Sequence, residues 1–159
     1  MKSLANIFRA SVVSLESCCI GIGVVLSVWP PSSLNDIAKK VAANGEMIQY
    51  LSLAPVGIFV WVFAHSRKML FPDADEKRVL QGWPDYRAFK EIVFVGVGYS
   101  VVFIVIGLST WAMDWSESPV LPFVWMCISI VGAAVTAFSM YHAEIVLNEH
   151  LATEGEAGR

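Results

Sequence analysis

Residues 92–113, IVFVGVGYSVVFIVIGLSTWAM, decide the fold because they contain no charged side chain over the length of a membrane-spanning helix. Such a helix needs about 20 predominantly apolar residues to cross the hydrocarbon core of a bilayer. Three other stretches are nearly as apolar, namely 10–29, 47–64 and 120–141. In lipid only helices and closed barrels satisfy every backbone polar group, and these continuous runs lack the alternation of a barrel strand. The sequence therefore predicts an all-α integral membrane protein with a bundle of four transmembrane helices.

The composition leaves little room for anything besides these helices. The chain has 159 residues, of which 56% are hydrophobic, and its mean hydropathy is +0.60. We predict one membrane domain over residues 1–151, followed by a disordered tail over 152–159. The charged connection 65–91 and the continuation of the fourth helix over 142–151 are predicted to form a helical headpiece at one end of the bundle.

The first connection carries its own helical signal. Pro30 and Pro31 end the first predicted helix, and Ser32 or Ser33 can cap a new one. Apolar residues then recur at helical spacing up to Val41, with polar residues opposite them. This pattern predicts a short amphipathic helix, either on the membrane surface or as a lid over the bundle.

The basic residues are distributed unevenly over the two sides of the predicted bundle. Nine of the eleven Lys and Arg residues fall in the termini and the connection 65–91, and two, Lys39 and Lys40, fall in the first connection. The positive-inside rule then places both termini and the headpiece in the cytoplasm. No small-residue cleavage motif precedes Trp29, so the first helix is predicted to remain in the protein. These features are typical of the bacterial inner membrane.

Glu16 is the ionisable residue that lies well inside a predicted span. A charge in lipid is costly unless it is paired, neutralised or hydrated, which makes it a functional candidate. Counting from the helix ends puts Tyr99, Ser100 and Thr136 at a similar depth, and we predict an intramembrane polar cluster of these four residues. Three interpretations stay open: hydrogen bonding between helices, the lining of a hydrated pore, or a proton-coupled substrate site.

Small residues form neighbouring rows on the fourth predicted helix, at Ser129, Gly132, Ala133 and Ala137. Small side chains let helices approach closely in lipid, where no hydrophobic drive holds helices together. Packing within one chain accounts for part of such a pattern. Because one small bundle has little internal surface, we also expect these rows to serve a homo-oligomer, a dimer to tetramer.

The sequence predicts neither an enzyme nor a cofactor site. It has no C-x-x-C, phosphate-loop, H-E-x-x-H or haem motif, and the three cysteines lie inside predicted spans. His65 and His142 lack a clustered acid in the sequence, so no metal site is predicted. The basic residues of the headpiece alternate with acids, which argues against direct nucleic-acid binding. Charged residues predicted to bind a cytosolic protein partner are Lys77, Arg78, Arg87, Glu144 and Glu149.

In layout the chain resembles the small four-helix membrane subunits of bacterial antiphage defence systems, such as the Kiwa membrane component of the KwaA type. The resemblance lies in three features: the termini predicted on the cytoplasmic side, the charged loop Ser66–Lys90 and the fourth helix ending in Ile145–Leu151. It implies an oligomeric inner-membrane sensor, anchor or effector that works with a cytosolic partner. An ion channel gated by the headpiece is an alternative. The embedded acid Glu16 also resembles that of small multidrug transporters, which implies a proton-coupled transporter as a further alternative.

Overall fold

The computed structural model describes residues 14–73, 80, 82–84 and 86–157, without the side chains of 150 and 154–157. The regular structure of these residues is entirely α-helical, which confirms the predicted class. The helices whose bounds fall within the described residues are α1 (Leu15–Val28), α2 (Ser32–Ala42), α3 (Gly45–Leu70), α4 (Tyr86–Trp111) and α5 (Val120–Ala157).

Three of these helices, α3, α4 and α5, are each long and apolar enough to cross a membrane. The pair α1 and α2 passes the same test only when taken together, and the two are bent by 96° at the break between them. The described residues therefore contain three candidate spans, or four if the bent pair is one span. This arrangement is compatible with an integral membrane protein.

The first helix is shorter than the predicted stretch 10–29. Ser14 caps it in an extended conformation, with φ −81° and ψ 155°, and its hydroxyl oxygen accepts a hydrogen bond from the Ser17 amide at 3.2 Å. Residues 10–13 lie outside the described residues. The fourteen residues of α1 cover about 21 Å, which is less than the thickness of the hydrocarbon core. As a result Glu16 lies in the first turn of α1, and not two turns into a longer helix.

The amphipathic helix predicted after Pro31 is confirmed as α2. Its apolar side is turned toward the bundle: Ala38 is fully buried, and Val41 packs in a cluster with Ile48 of α3 and Met126 of α5. Lys39 and Lys40 are exposed. The contacts therefore match the lid interpretation of α2, with its apolar side covering one end of the bundle.

Two helices extend beyond their predicted spans. Helix α3 continues past residue 64 to Leu70, because neither Pro nor Gly occurs between residue 64 and Pro72. Helix α5 continues to Ala157, although the sequence predicted a disordered tail from residue 152. The hydroxyl of Thr153 donates to the Glu149 carbonyl at 2.9 Å, so the last turns keep helical hydrogen bonding. The short charged helix predicted around residues 74–81 lies largely outside the described residues.

The core forms where α3, α4 and α5 pack against one another, and α1 packs on α5. At Gly107 of α4 the three helices come close together: a Cβ there would lie 3.0 Å from the Ser52 carbonyl oxygen and 3.2 Å from the Ser129 hydroxyl. Deeper in the bundle, the ring of Phe103 fills the space left by Gly132. Phe103 is fully buried, so the centre of the bundle is tightly packed.

A short turn connects α4 to α5 at the end opposite the headpiece. The carboxylate of Asp114 accepts hydrogen bonds from the Ser116 hydroxyl at 2.6 Å and the Ser116 amide at 2.8 Å. These bonds stabilise the ionised form and hold the pKa of Asp114 below its usual value. The Trp115 indole donates to the Thr110 carbonyl at 2.9 Å, which ties the turn to the end of α4.

Candidate functional site

Glu16 lies at a cavity where the beginning of α1 meets α4 and α5. The side chain is only 6% exposed. The cavity has a volume of about 150 Å³. Apart from Ser14 and Glu16 on α1, its walls come from Ile92, Val93, Val95 and Gly96 of α4 and from Ser139, Met140 and Ala143 of α5.

The surroundings of the Glu16 carboxylate are polar toward the beginning of α1 and mainly apolar elsewhere. The side chain belongs to the first turn of α1, where the helix dipole stabilises an anion by about 0.3–1 kcal/mol. The other walls are mainly apolar, with Ser139 as the polar residue contributed by α5. Among the described residues, no side chain forms an ion pair or hydrogen bond with this carboxylate. Since no buried side-chain oxygen of the described part lacks a partner, the Glu16 oxygens are accessible from the cavity.

The other three members of the predicted polar cluster, Tyr99, Ser100 and Thr136, are not among the residues that line the cavity. The Ser100 hydroxyl donates to the Gly96 carbonyl at 3.1 Å, and the Thr136 hydroxyl donates to the Gly132 carbonyl at 3.0 Å. Tyr99 is half-buried and stacks on Phe103. Ser100 and Thr136 thus satisfy backbone carbonyls of their own helices.

Sequence reasoning missed Ser139 and Met140, which do line the cavity. The helical spacing from Thr136 provided a signal for Ser139, which follows it by three residues on the same helix. Met140 closes the cavity against Gly96, since its terminal methyl occupies the space where a Cβ on Gly96 would lie. The cavity is located nearer the headpiece than predicted because α1 begins only at Leu15.

A buried carboxylate in a small, mostly apolar cavity has limited chemistry. It can bind a proton or one cationic group, and it can donate a hydrogen bond when protonated. Within the described part of the chain, no three His, Cys, Asp or Glu side chains are grouped so that they could hold a metal ion.

The small-residue rows of α5 face the inside of the single chain. Ser129 is fully buried and Ala133 is 1% exposed, Gly132 is filled by Phe103, and Ala137 packs at the edge of a buried cluster. These residues pack the chain's own helices. The burial of these residues agrees with the helix-packing part of the prediction for Ser129, Gly132, Ala133 and Ala137, whereas their part in a homo-oligomer stays a prediction.

An apolar cluster extends from the bundle into the residues of the predicted headpiece. Buried members of this cluster include Met69, Leu80, Tyr86, Phe89 and Leu147. The Tyr86 hydroxyl donates to the Met69 carbonyl at 3.4 Å, which joins the beginning of α4 to the end of α3. The three long helices thus remain packed together beyond their most apolar parts.

One of the predicted partner-binding acids is paired inside the chain. Glu144 of α5 lies 3.7 Å from His65 Nε2 of α3, and both side chains are about one quarter exposed. His65 stacks on Trp61 with ring centroids 4.0 Å apart, and its Nδ1 lies 2.9 Å from the Trp61 carbonyl. Glu144 is therefore an acidic partner of His65. The sequence did not reveal it because the two residues are far apart along the chain.

The remaining predicted headpiece residues differ in accessibility. The Arg87 side chain is 81% exposed and lies 3.8 Å from Glu91 on the same helix. Glu149 is exposed. Lys77 and Arg78 lie outside the described residues. Arg87 and Glu149 thus remain the described candidates for contact with a partner.

No protein-family model, no curated protein and no solved structure matches this chain.

Proposed function

We propose that the chain is a four-helix inner-membrane anchor or sensor subunit whose headpiece engages a cytosolic protein partner. In this proposal the pair α1 and α2 crosses the membrane once, which makes four crossings with the three long helices, and both termini are cytoplasmic. The uneven distribution of Lys and Arg supports this orientation.

The observation that carries the proposal is the length of α5. Its 38 residues extend over about 57 Å, whereas about 20 residues suffice for the hydrocarbon core. About 18 residues of α5 are therefore available outside the membrane. They include Leu147, which is 6% exposed and packs in the headpiece cluster, and the exposed Glu149. A packed unit outside the bilayer with accessible charged side chains is suited to protein recognition.

The headpiece proposal is tested by crosslinking in cells. A photoreactive amino acid at Arg87 or Glu149 is expected to capture a cytosolic protein, because both positions are exposed on the headpiece. The same amino acid at Val101, which is exposed in the middle of α4, is the matched control and is expected to capture none. The substitution Arg87→Glu is expected to reduce the captured product at position 149, and Lys40→Glu on α2 is not.

Because the layout resembles antiphage membrane subunits, the crosslinking is performed with and without phage infection of a bacterial host. A product that appears or grows on infection supports a role in phage defence. Equal capture from Val101, or no capture from either headpiece position in both conditions, contradicts the headpiece proposal.

The Glu16 cavity supports a second candidate function, a proton-coupled transporter or headpiece-gated ion channel. The supporting observation is the nearly buried carboxylate that no described side chain pairs. Ion and proton flux through liposomes containing the purified chain is the test, with Glu16→Gln as the variant and Glu46→Gln, in the first turn of α3, as the control.

Flux that Glu16→Gln abolishes and Glu46→Gln preserves would establish this second function. Folded protein without flux would leave the anchor or sensor as the sole function. The Glu16 side chain would then act in packing, and Glu16→Gln would change only the stability of the bundle.

A further inference from the structure

We propose that a groove between α3 and α4, at the headpiece end, binds an anionic phospholipid of the surrounding membrane. The proposal rests on the proposed membrane location of the chain and is independent of any protein partner.

The groove has apolar walls and one cationic group. Its volume is about 320 Å³, at the lower end of the range of small-molecule sites. Phe63 and Phe71 line it from the α3 side, and Phe94 and Val97 line it from α4. Arg67 is the charged side chain of its lining.

Arg67 is available to an external anion. The residue is exposed, and within the described part of the chain it forms no ion pair. A guanidinium binds a phosphate through two parallel hydrogen bonds, which makes Arg suited to a phospholipid headgroup. Ser66, the other polar residue of the lining, donates its hydroxyl to the Phe63 carbonyl at 3.0 Å and so leaves Arg67 as the anion-binding group.

The groove lies at the depth where hydrocarbon gives way to headgroups. Helix α3 spans about 39 Å, longer than the hydrocarbon core of about 30 Å, so its last turn with Arg67 falls at the interface. Phe63, one turn earlier, is 54% exposed, and Phe94 on the opposite wall is 60% exposed. An acyl chain can therefore lie along the two Phe rings while the phosphate reaches Arg67.

Neighbouring charges add to the attraction of an anion. Lys68 follows Arg67 in the last turn of α3. On α4, Lys90 lies one turn before Phe94, with its ammonium 4.5 Å from the centre of the Tyr86 ring. The nearby acid Glu91 is itself 3.8 Å from Arg87, which offsets its charge. Basic pockets of this kind at the cytoplasmic side of membrane helices bind anionic headgroups.

A second copy of the chain is the competing occupant. Helix contacts in lipid depend on small residues that let backbones approach closely. The mouth of this groove instead carries large exposed rings at Phe63, Phe71 and Phe94. Those rings keep another helix at a distance but leave room for a flexible acyl chain, which favours the lipid.

The test is lipid binding to the purified full-length chain, measured by native mass spectrometry after delipidation. Phosphatidylglycerol and phosphatidylcholine with identical acyl chains are the two probes. We expect the wild type to bind phosphatidylglycerol about fivefold more tightly, since one basic residue near the surface is worth about 1 kcal/mol. Arg67→Gln is expected to remove the preference for phosphatidylglycerol. Lys40→Gln, at an exposed position of α2, is expected to keep it.

Several results would overturn the lipid site. Equal binding of the two lipids would do so, as would a preference that survives in Arg67→Gln, or dimers that form in place of lipid adducts. Arg67→Lys is the control for a folding defect in Arg67→Gln. It retains the charge and is expected to retain part of the preference for phosphatidylglycerol. A chain that does not fractionate with membranes would contradict the proposed location itself, whereas a membrane-bound chain without lipid preference contradicts only this site.

Discussion

Gly132 shows how a single residue determines the packing of the bundle centre. A Cβ at this position would collide with the ring of Phe103, which is fully buried. At Gly98, by contrast, a Cβ would meet no atom within 4 Å. The two glycines, both in long apolar helices, therefore have opposite tolerance for a methyl group.

We expect Gly132→Ala to lower the free energy of unfolding by about 1–3 kcal/mol, because overpacking forces side chains and backbone to shift. Gly98→Ala is the matched control and is expected to leave stability equal or raise it by up to about 1 kcal/mol, since Ala is the better helix former. Denaturant unfolding in detergent, followed by circular dichroism, measures both variants. Equal stability of the two variants would show that Phe103 is free to move.

At the scale of elements, α1 is held differently from the other helices. It packs mainly on α5, whereas α3, α4 and α5 each pack on two long neighbours. Large side chains on its outer surface are exposed, including Ile22 at 54% and Val25 at 57%. Gly23 is its point of close approach: a Cβ there would lie 3.0 Å from Ile128 of α5. The attachment of α1 thus depends on a small residue at this position.

Substitution of Gly23 by Val is expected to separate α1 from α5, because the added methyl groups cannot fit against Ile128 and Trp125. Gly21→Val is the control, since a Cβ at Gly21 meets no atom within 4 Å. Hydrogen exchange followed by mass spectrometry is expected to show faster exchange in Leu15–Val28 for Gly23→Val alone. Faster exchange throughout α3, α4 and α5 would mean instead that α1 supports the whole bundle.

For the whole molecule, the role of the bent pair decides the topology. If α1 and α2 together cross the membrane once, the two ends of the chain lie on one side; if they lie on its surface, the ends lie on opposite sides. The three long helices form an odd number of candidate spans, so the first two helices determine which case applies.

We expect an N-terminal reporter and a cysteine at Glu149 to lie on the same, cytoplasmic side. In a chain whose Cys18, Cys19 and Cys127 are replaced by Ser, Ser116→Cys should react with a membrane-impermeant maleimide in intact cells. Glu149→Cys should react only after the cells are opened, because the charge distribution places it inside. An N-terminal reporter outside the cell would establish three spans and contradict the four-helix topology.

The fold was largely predictable because its signals are local. Continuous apolar runs indicated the positions of α3, α4 and α5, and the sequence after Pro31 indicated α2. The ends were predicted less well. Ser14 caps α1 although apolar residues precede it, and α5 continues to Ala157 although the final residues are polar. Both ends depend on how the chain is capped and packed, which hydropathy does not encode.

The candidate site was predictable only in part. The charge of Glu16 within an apolar run marked it as a candidate, and the structure buries its side chain. Counting residues from the expected helix ends did not identify the neighbours of Glu16, because α1 begins later than its apolar run suggested. The hydroxyls of Ser100 and Thr136 donate to carbonyls of their own helices. These partners depend on which side of each helix is buried in the bundle, and the sequence alone does not give that.

By itself the sequence determined that this chain is helical, where its long apolar helices lie, and how its basic residues are distributed between the connections. Only the tertiary structure decided that Glu16 faces Gly96 and Ser139, and that Glu144 pairs with His65. The physical reason is that hydropathy and capping act within a few residues of the chain. Contacts between distant helices depend on the rotation and offset of whole helices, which small residues such as Gly132 set through close packing.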